Sequence, residues 1–495
     1  MLAYDVRAQC PVACLTQYAE RSGIVSTSYK VLPFHLLKIM KNILICAVAC
    51  LLGTFLNAQN NFNLELLGHW DDDALPVSSP GNLNLQYNSC WGLTVNNREY
   101  AVMGGAQHVL FFDVTVPAIP KLVGKFQGRS TVVPREFKSY KNRVYAVADG
   151  GNDGLMIFDL SHAEDTIIRT YWDTTFFHRI HTIALDTTSG HIYMNGGNAG
   201  QGIIVLDASQ NPDAPTFLAH PDLPGGYVHD CYVRNDTVYA SSGYEGYFVF
   251  DFKDPVNPVL LAQISTGGYN HNSWLTLDGK YAYYAEEIPQ GRPIRIVDLQ
   301  NLALGEIEIV GSFLDNLQAP SDSIKRAIPH NVYIKGDHLY DSQYEDGLLV
   351  YDISDRLEPV LIAHYDTHPE NTQYNGYFGN WGNYPWLASG TIISSDMQNG
   401  LFLFRLQNSS SVSSPNELPV SIFPNPARYL LTLRVESIEK GRWEMLDVSG
   451  KQIQSGEFQS NVDTPISLLS VENGFYFLKI TSITGQSTIK KVIVH

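Results

Sequence analysis

From about residue 100 to residue 406 the chain repeats one pattern: an apolar run closing on Asp, a polar turn, and a second apolar run. The copies read HVLFFDVTVPAIPKLVGKF, GLMIFDLSHAEDTIIRTYW, GIIVLDASQNPDAPTFLAH, GYFVFDFKDPVNPVLLAQI, RPIRIVDLQNLALGEIEIVGSF and GLLVYDISDRLEPVLIAHY, followed by a truncated GLFLFRL. The closing residue falls at Asp113, Asp159, Asp207, Asp251, Asp298 and Asp352, with Arg405 in the seventh place. Successive positions lie 44 to 54 residues apart, near the period of one four-stranded blade. Two further strands precede each run, one Tyr-rich (RVYAVAD, HIYMNGG, TVYASSG, HLYDSQY) and one before it (IHTIALD, VHDCYVR, PHNVYIK).

Four short strands per unit, repeated radially, predict a β-propeller. Asp or Asn opens each link between the third and fourth strands and Pro fixes its backbone, while Gly tips join the second and third. The seventh unit stops at Leu406 without a fourth strand, and LELLGHWDD, Leu64 to Asp72, resembles the fourth-strand runs of the other units. The N-terminal strand is therefore expected to complete the last sheet, which removes open edges. This gives an all-β chain: a seven-bladed β-propeller over residues 59–407 and a small β-sandwich over 418–495, joined by a Ser-rich linker at 408–417. A solenoid is the alternative, disfavoured because it needs capping repeats rather than a lone strand at the opposite terminus.

The segment MKNILICAVACLLGTFLNAQ, Met40 to Gln59, has a basic start, a short apolar stretch and a small-residue cleavage site, the pattern of a signal peptide at 40–58. Residues 1–39 are then a non-native upstream extension, with translation starting at Met40. Cleavage leaves Cys90 and Cys231 as the cysteines of the mature chain, so no disulfide framework is expected and both are read as free thiols. It also leaves 28 basic against 48 acidic residues, a charge of about −20. That sign excludes nucleic acid as a natural partner, and no transmembrane span is expected in the mature protein.

FPNP at Phe423 to Pro426, DVSGK at Asp447 to Lys451, GFYFLKI at Gly474 to Ile480 and KKVIV at Lys490 to Val494 resemble the C-terminal sorting domain of type IX secretion cargo. The resemblance implies export by the type IX machinery and a secreted or cell-surface location. IRIVD at Ile294 to Asp298 and LLVYD at Leu348 to Asp352, with the turns after them, resemble the LVIVD repeats of choice-of-anchor B surface proteins. That resemblance implies a propeller and no established reaction.

Aligning the first strand of each unit on the later Tyr gives one equivalent position per unit: Cys90, Arg135, His181, His229, His271, His330 and Asn383. Four histidines converging at one channel mouth form a candidate transition-metal site, with Glu245, Glu286, Glu287 and Glu345 on nearby tips as partners that orient the rings. The alternative is a structural signature, each imidazole tying its strand to a neighbour. Acidic tips at 149–154 and 344–347 suggest Ca²⁺ by composition, although neither has the spacing of a known calcium loop. The aromatic segment 371–390 departs furthest from the repeat. It is read as a binding loop for a carbohydrate or protein ligand, through Tyr374, Tyr377, Trp381, Tyr384 and Trp386 with Arg135, or as a self-packed loop over the channel. No catalytic constellation is complete. Two functions follow: a surface-displayed binding protein, or a metal-dependent enzyme at the four histidines, with oxidation its most natural chemistry.

Overall fold

A computed structural model describes residues 61–78, 84–315, 317, 328–370, 374, 376–407, 420–425, 427–435, 440–447, 450–483 and 487–494. The upstream extension, the signal peptide and the linker lie outside the described residues.

Among the described residues between 64 and 406 there are seven four-stranded antiparallel sheets. Their third strands are the apolar runs of the repeat. Val109, Leu110, Phe111 and Phe112 are fully buried, as are their counterparts Leu348, Leu349 and Val350. Burial on both faces explains why these runs lack the alternation of a half-exposed strand. The repeated Asp ends each run by accepting the backbone N–H two residues ahead: Asp113 from Thr115 at 3.0 Å, Asp159 from Ser161 at 2.7 Å, Asp207 from Ser209 at 2.7 Å and Asp352 from Ser354 at 2.8 Å. Such Asx turns reverse the chain into the fourth strand.

The seventh sheet needs no such turn, because its fourth strand arrives from the other end of the chain. Leu64–Trp70 pairs antiparallel with Gly400–Leu406, placing Leu64 opposite Leu406 and Glu65 opposite Arg405. This accounts for Arg405 where the other units carry Asp.

The first strands are Tyr87–Val95, Arg135–Tyr140, Thr182–Leu185, Asp230–Arg234, Asn270–Leu275, Asn331–Lys335 and Asn380–Tyr384. Each packs against the first strand of the next sheet, and Asn380–Tyr384 packs back onto Tyr87–Val95. The order closes on itself, which is the arrangement of a β-propeller. Residues 380–384 of the aromatic segment are therefore an inner strand rather than part of a loop.

At the C-terminal end, Val420–Phe423, Leu430–Val435 and Thr464–Ser467 form one sheet, and four strands between Gly441 and Val494 form a second. Leu431, Leu433, Met445, Leu478, Ile480 and Val492 share one buried core between them. Among the described residues no helix is long and apolar enough to cross a membrane.

Candidate functional site

Two rings of side chains line the inner strands, three residues apart along each. The first contains the four histidines, whose rings follow one another around the axis. Centroid separations are 4.2 Å from His181 to His229, 4.3 Å from His229 to His271 and 4.2 Å from His271 to His330. Strand register extends this ring to Trp381 in the seventh sheet: Trp381 occupies a bulge between Asn380 and Gly382, as His271 does between Asn270 and Asn272. Its indole lies 4.7 Å from His330. The sequence alignment placed Asn383 here. Asn383 instead donates to Ser342 Oγ at 2.9 Å, tying the sixth and seventh sheets together. Cys90 is likewise displaced, into an apolar cluster with Leu110 and Ile393.

Each of three histidines uses Nδ1 locally. His229 bonds the His271 carbonyl at 2.9 Å, His330 the Trp381 carbonyl at 2.6 Å, and His181 the Asp149 carboxylate at 2.8 Å. A carbonyl only accepts, so Nδ1 of His229 and His330 carries the proton and Nε2 presents a lone pair. Burial, reinforced by neighbouring imidazoles, holds His229 and His271 well below the ordinary histidine range and takes His330 down to about 3. These three rings are neutral at physiological pH. For His181 burial acts in the same direction, but the Asp149 hydrogen bond and charge outweigh it and raise the group.

Of the four glutamates expected beside the histidines, one approaches them. Glu287 Oε2 lies 4.0 Å from His271 Nε2, and its Oε1 accepts from Tyr344 at 3.1 Å. Burial raises Glu287 to about 7. Glu286 pairs with Arg295 at 3.3 Å, Glu345 accepts the Gly376 N–H at 3.3 Å, and Glu245 is exposed.

Arg135 is fully buried. It pairs with the equally buried Asp153, and donates to the Gly105 carbonyl at 3.1 Å and the Ser130 carbonyl at 2.9 Å. On the 149–154 tip, Asp149 and Asp153 thus both have cationic partners. On the 344–347 tip, Asp346 accepts from Tyr374 at 2.6 Å. Tyr377 packs on Tyr344 at 5.2 Å.

The aromatic segment is therefore divided: Tyr377 and Trp381 pack around Tyr344 beside His330, Tyr374 is bonded to Asp346, Tyr384 belongs to the second ring and Trp386 packs against it. Register gives that ring one position per sheet: Trp91, Lys138, Ala184, Tyr232, Trp274, Tyr333 and Tyr384, opposite Val102, Tyr145, Tyr193, Tyr239, Tyr283, Tyr340 and Ile393. The sequence reading did not identify this ring, although a residue three positions after each histidine was there to be aligned. All of its members but Tyr333, together with Trp386, wall a cavity of about 360 Å³ that also meets Asp186, Arg234 and Asn235. Trp274 packs on Trp386 at 5.0 Å and on Tyr232 at 4.5 Å, Trp91 packs on Tyr384 at 4.9 Å, and Lys138 Nζ sits 4.1 Å over Trp91. The indole N–H of Trp91 goes to Ser139 Oγ at 3.1 Å and that of Trp386 to the Ile334 carbonyl at 3.2 Å, which holds both rings in fixed orientations.

Residues 421–495 match the secretion system C-terminal sorting domain, and residues 329–367 match the LVIVD repeat. The sorting tail marks the chain for secretion to the cell surface or extracellular space. No curated protein matches the chain. Among solved structures, the β-propeller domain of Myceliophteria thermophila Cps50 (Swd1) is similar with a TM-score of 0.47 and 11% identity, over 69% of this chain and 99% of that one.

Proposed function

We propose that this chain is a carbohydrate-binding surface protein: a seven-bladed β-propeller, followed by a β-sandwich sorting domain and exported by the type IX route. The LVIVD match and the recurrent Asp turns support the likeness to choice-of-anchor B surface proteins. The observation that carries the binding role is the second ring. Its volume of about 360 Å³ suits a small oligosaccharide unit, and its concavity suits a ligand that enters rather than a flat protein face. Rigid Trp and Tyr faces accept the apolar face of a sugar ring, while Lys138, Asp186, Arg234 and Asn235 offer groups for its hydroxyls.

A glycan array probed with the mature chain, residues 59–495, and with its Trp274→Ala/Trp386→Ala variant tests this. The reading expects a defined set of glycans retained by the parent and lost by the variant. An array blank for a folded parent, with a protein partner captured instead, overturns the carbohydrate assignment.

A further inference from the structure

We infer that His271, His330 and Glu287 form a binding site for one divalent first-row transition metal, with a coordination position left open toward the channel axis. The potential ligand atoms of these three side chains lie within 4.8 Å of one another. His271 and His330 are 5% and 2% exposed. His271 stands on the first strand of the fifth sheet and His330 immediately before that of the sixth, with ring centroids 4.2 Å apart, and Glu287 reaches in from the second-to-third strand tip of the fifth sheet.

Three features fit this trio to a ligand set. First, the His330 bond to the Trp381 carbonyl fixes the proton on Nδ1 and leaves Nε2 as a donor, the tautomer that a metal requires. Second, the Tyr344 hydroxyl donates to Glu287 Oε1 and so orients the carboxylate, the usual supporting contact of a ligating acid. Third, Glu287 Oε2 and His271 Nε2 stand 4.0 Å apart, too far for a hydrogen bond. Two ligand atoms at about 2.0–2.2 Å from a tetrahedral ion sit roughly 3.4 Å apart, so a carboxylate rotation of well under 1 Å closes that pair.

Two histidines and one carboxylate are the donor set of open zinc sites and of non-haem ferrous sites. A cavity of about 10 Å³ beside His271 and His330, also bordered by Glu136 and His181, has room for about one water, enough for an exchangeable fourth ligand. Lys138 and Tyr333 of the aromatic ring border the same small cavity, but none of the three proposed ligands belongs to that ring, so the inference does not depend on the sugar reading.

The test uses the mature chain, stripped with chelator and titrated with Co²⁺, Zn²⁺ or Fe²⁺ alone in competition with a chromophoric chelator. One equivalent per chain is expected, with Co²⁺ giving the visible absorption of a low-symmetry His/carboxylate site. Glu287→Gln keeps the shape of the side chain and its acceptor for Tyr344, and His271→Asn removes a second ligand. Each is expected to weaken binding by more than about 100-fold, beyond the 10–100-fold typical of a supporting partner. His220→Asn, at a histidine bonded to the Ala199 carbonyl away from the ring, is expected to bind as the parent does. Thermal melts confirm that each variant is folded. A folded parent that takes up no metal, or folded Glu287→Gln and His271→Asn chains that bind as the parent does, overturns the site.

Discussion

Gly92 and Tyr384 meet where the ring of sheets closes: a Cβ on Gly92 would lie 2.4 Å from Tyr384 Cδ1 and 2.8 Å from Ile393 Cδ1. The first strand of the first sheet thus approaches that of the seventh as closely as a backbone without a side chain allows. Gly92→Ala must push Tyr384 out of place or open the closure. The expected cost is about 1–3 kcal/mol in chemical denaturation. Because Tyr384 walls the aromatic cavity, the same variant is expected to weaken glycan binding.

Arg135 and Asp153 form a fully buried ion pair within the second sheet, between its first strand and the tip that joins its second and third strands. Replacing Arg135 by Met leaves a buried carboxylate without its cation, at an expected cost of about 3–5 kcal/mol. The Arg135→Met/Asp153→Leu double variant removes the stranded charge as well and is expected to recover much of that loss. A denaturation series comparing the three chains checks this; a double variant no more stable than the single one contradicts it.

The His181–Asp149 pair confers a pH-dependent stability of about 1 kcal/mol, modest because both side chains are partly exposed. His181 is raised in the folded state, so its contribution is full below its unfolded value of about 6.5 and is lost as pH rises through the folded value. Asp149 is lowered despite burial, by the His181 hydrogen bond and charge, so its contribution is full above about 3.9 and is lost as pH falls through the folded value. The stability difference between the parent and Asp149→Asn is therefore expected to peak between about pH 4 and 6.5 and to shrink on either side. Melting curves across that range measure it; a difference that grows above neutral pH contradicts the pairing.

Cys90 and Cys231 are buried and unpaired with each other, and burial pushes the Cys90 thiol up to about 12. Neither is expected to react with a thiol reagent in the native mature chain, and both are expected to react after denaturation. A rapid native signal from either contradicts the packing of the inner strands.

The fold was legible in the sequence wherever one residue type does one repeated job. The Asp at the end of each apolar run builds an Asx turn, and its replacement by Arg405 coincides with the strand supplied by Leu64–Trp70. The histidines were legible for the same reason, as a position held against the repeat. Connection length hid the rest. The seventh unit carries Ile393 where the second to sixth carry the guide Tyr, and its first two strands are joined by a longer connection, with Tyr384 opposite Ile393 where the sixth sheet has Tyr333 opposite Tyr340, so a simple alignment points two positions past the indole that follows His330. The aromatic ring was missed because its members differ in type, Trp, Tyr and Lys sharing a position that only strand register reveals. Arg135 shares the histidines' alignment, but its guanidinium is engaged by Asp153 and the carbonyls of Gly105 and Ser130.

The central claim is that the aromatic mouth holds a sugar. Calorimetric titration of the mature chain with an oligosaccharide retained on the array tests it most directly, run beside the Trp274→Ala/Trp386→Ala variant. The account predicts saturable heat at one ligand per parent chain, absent from a variant that remains folded. Heat of equal size and midpoint in both chains would place the ligand elsewhere and contradict the account.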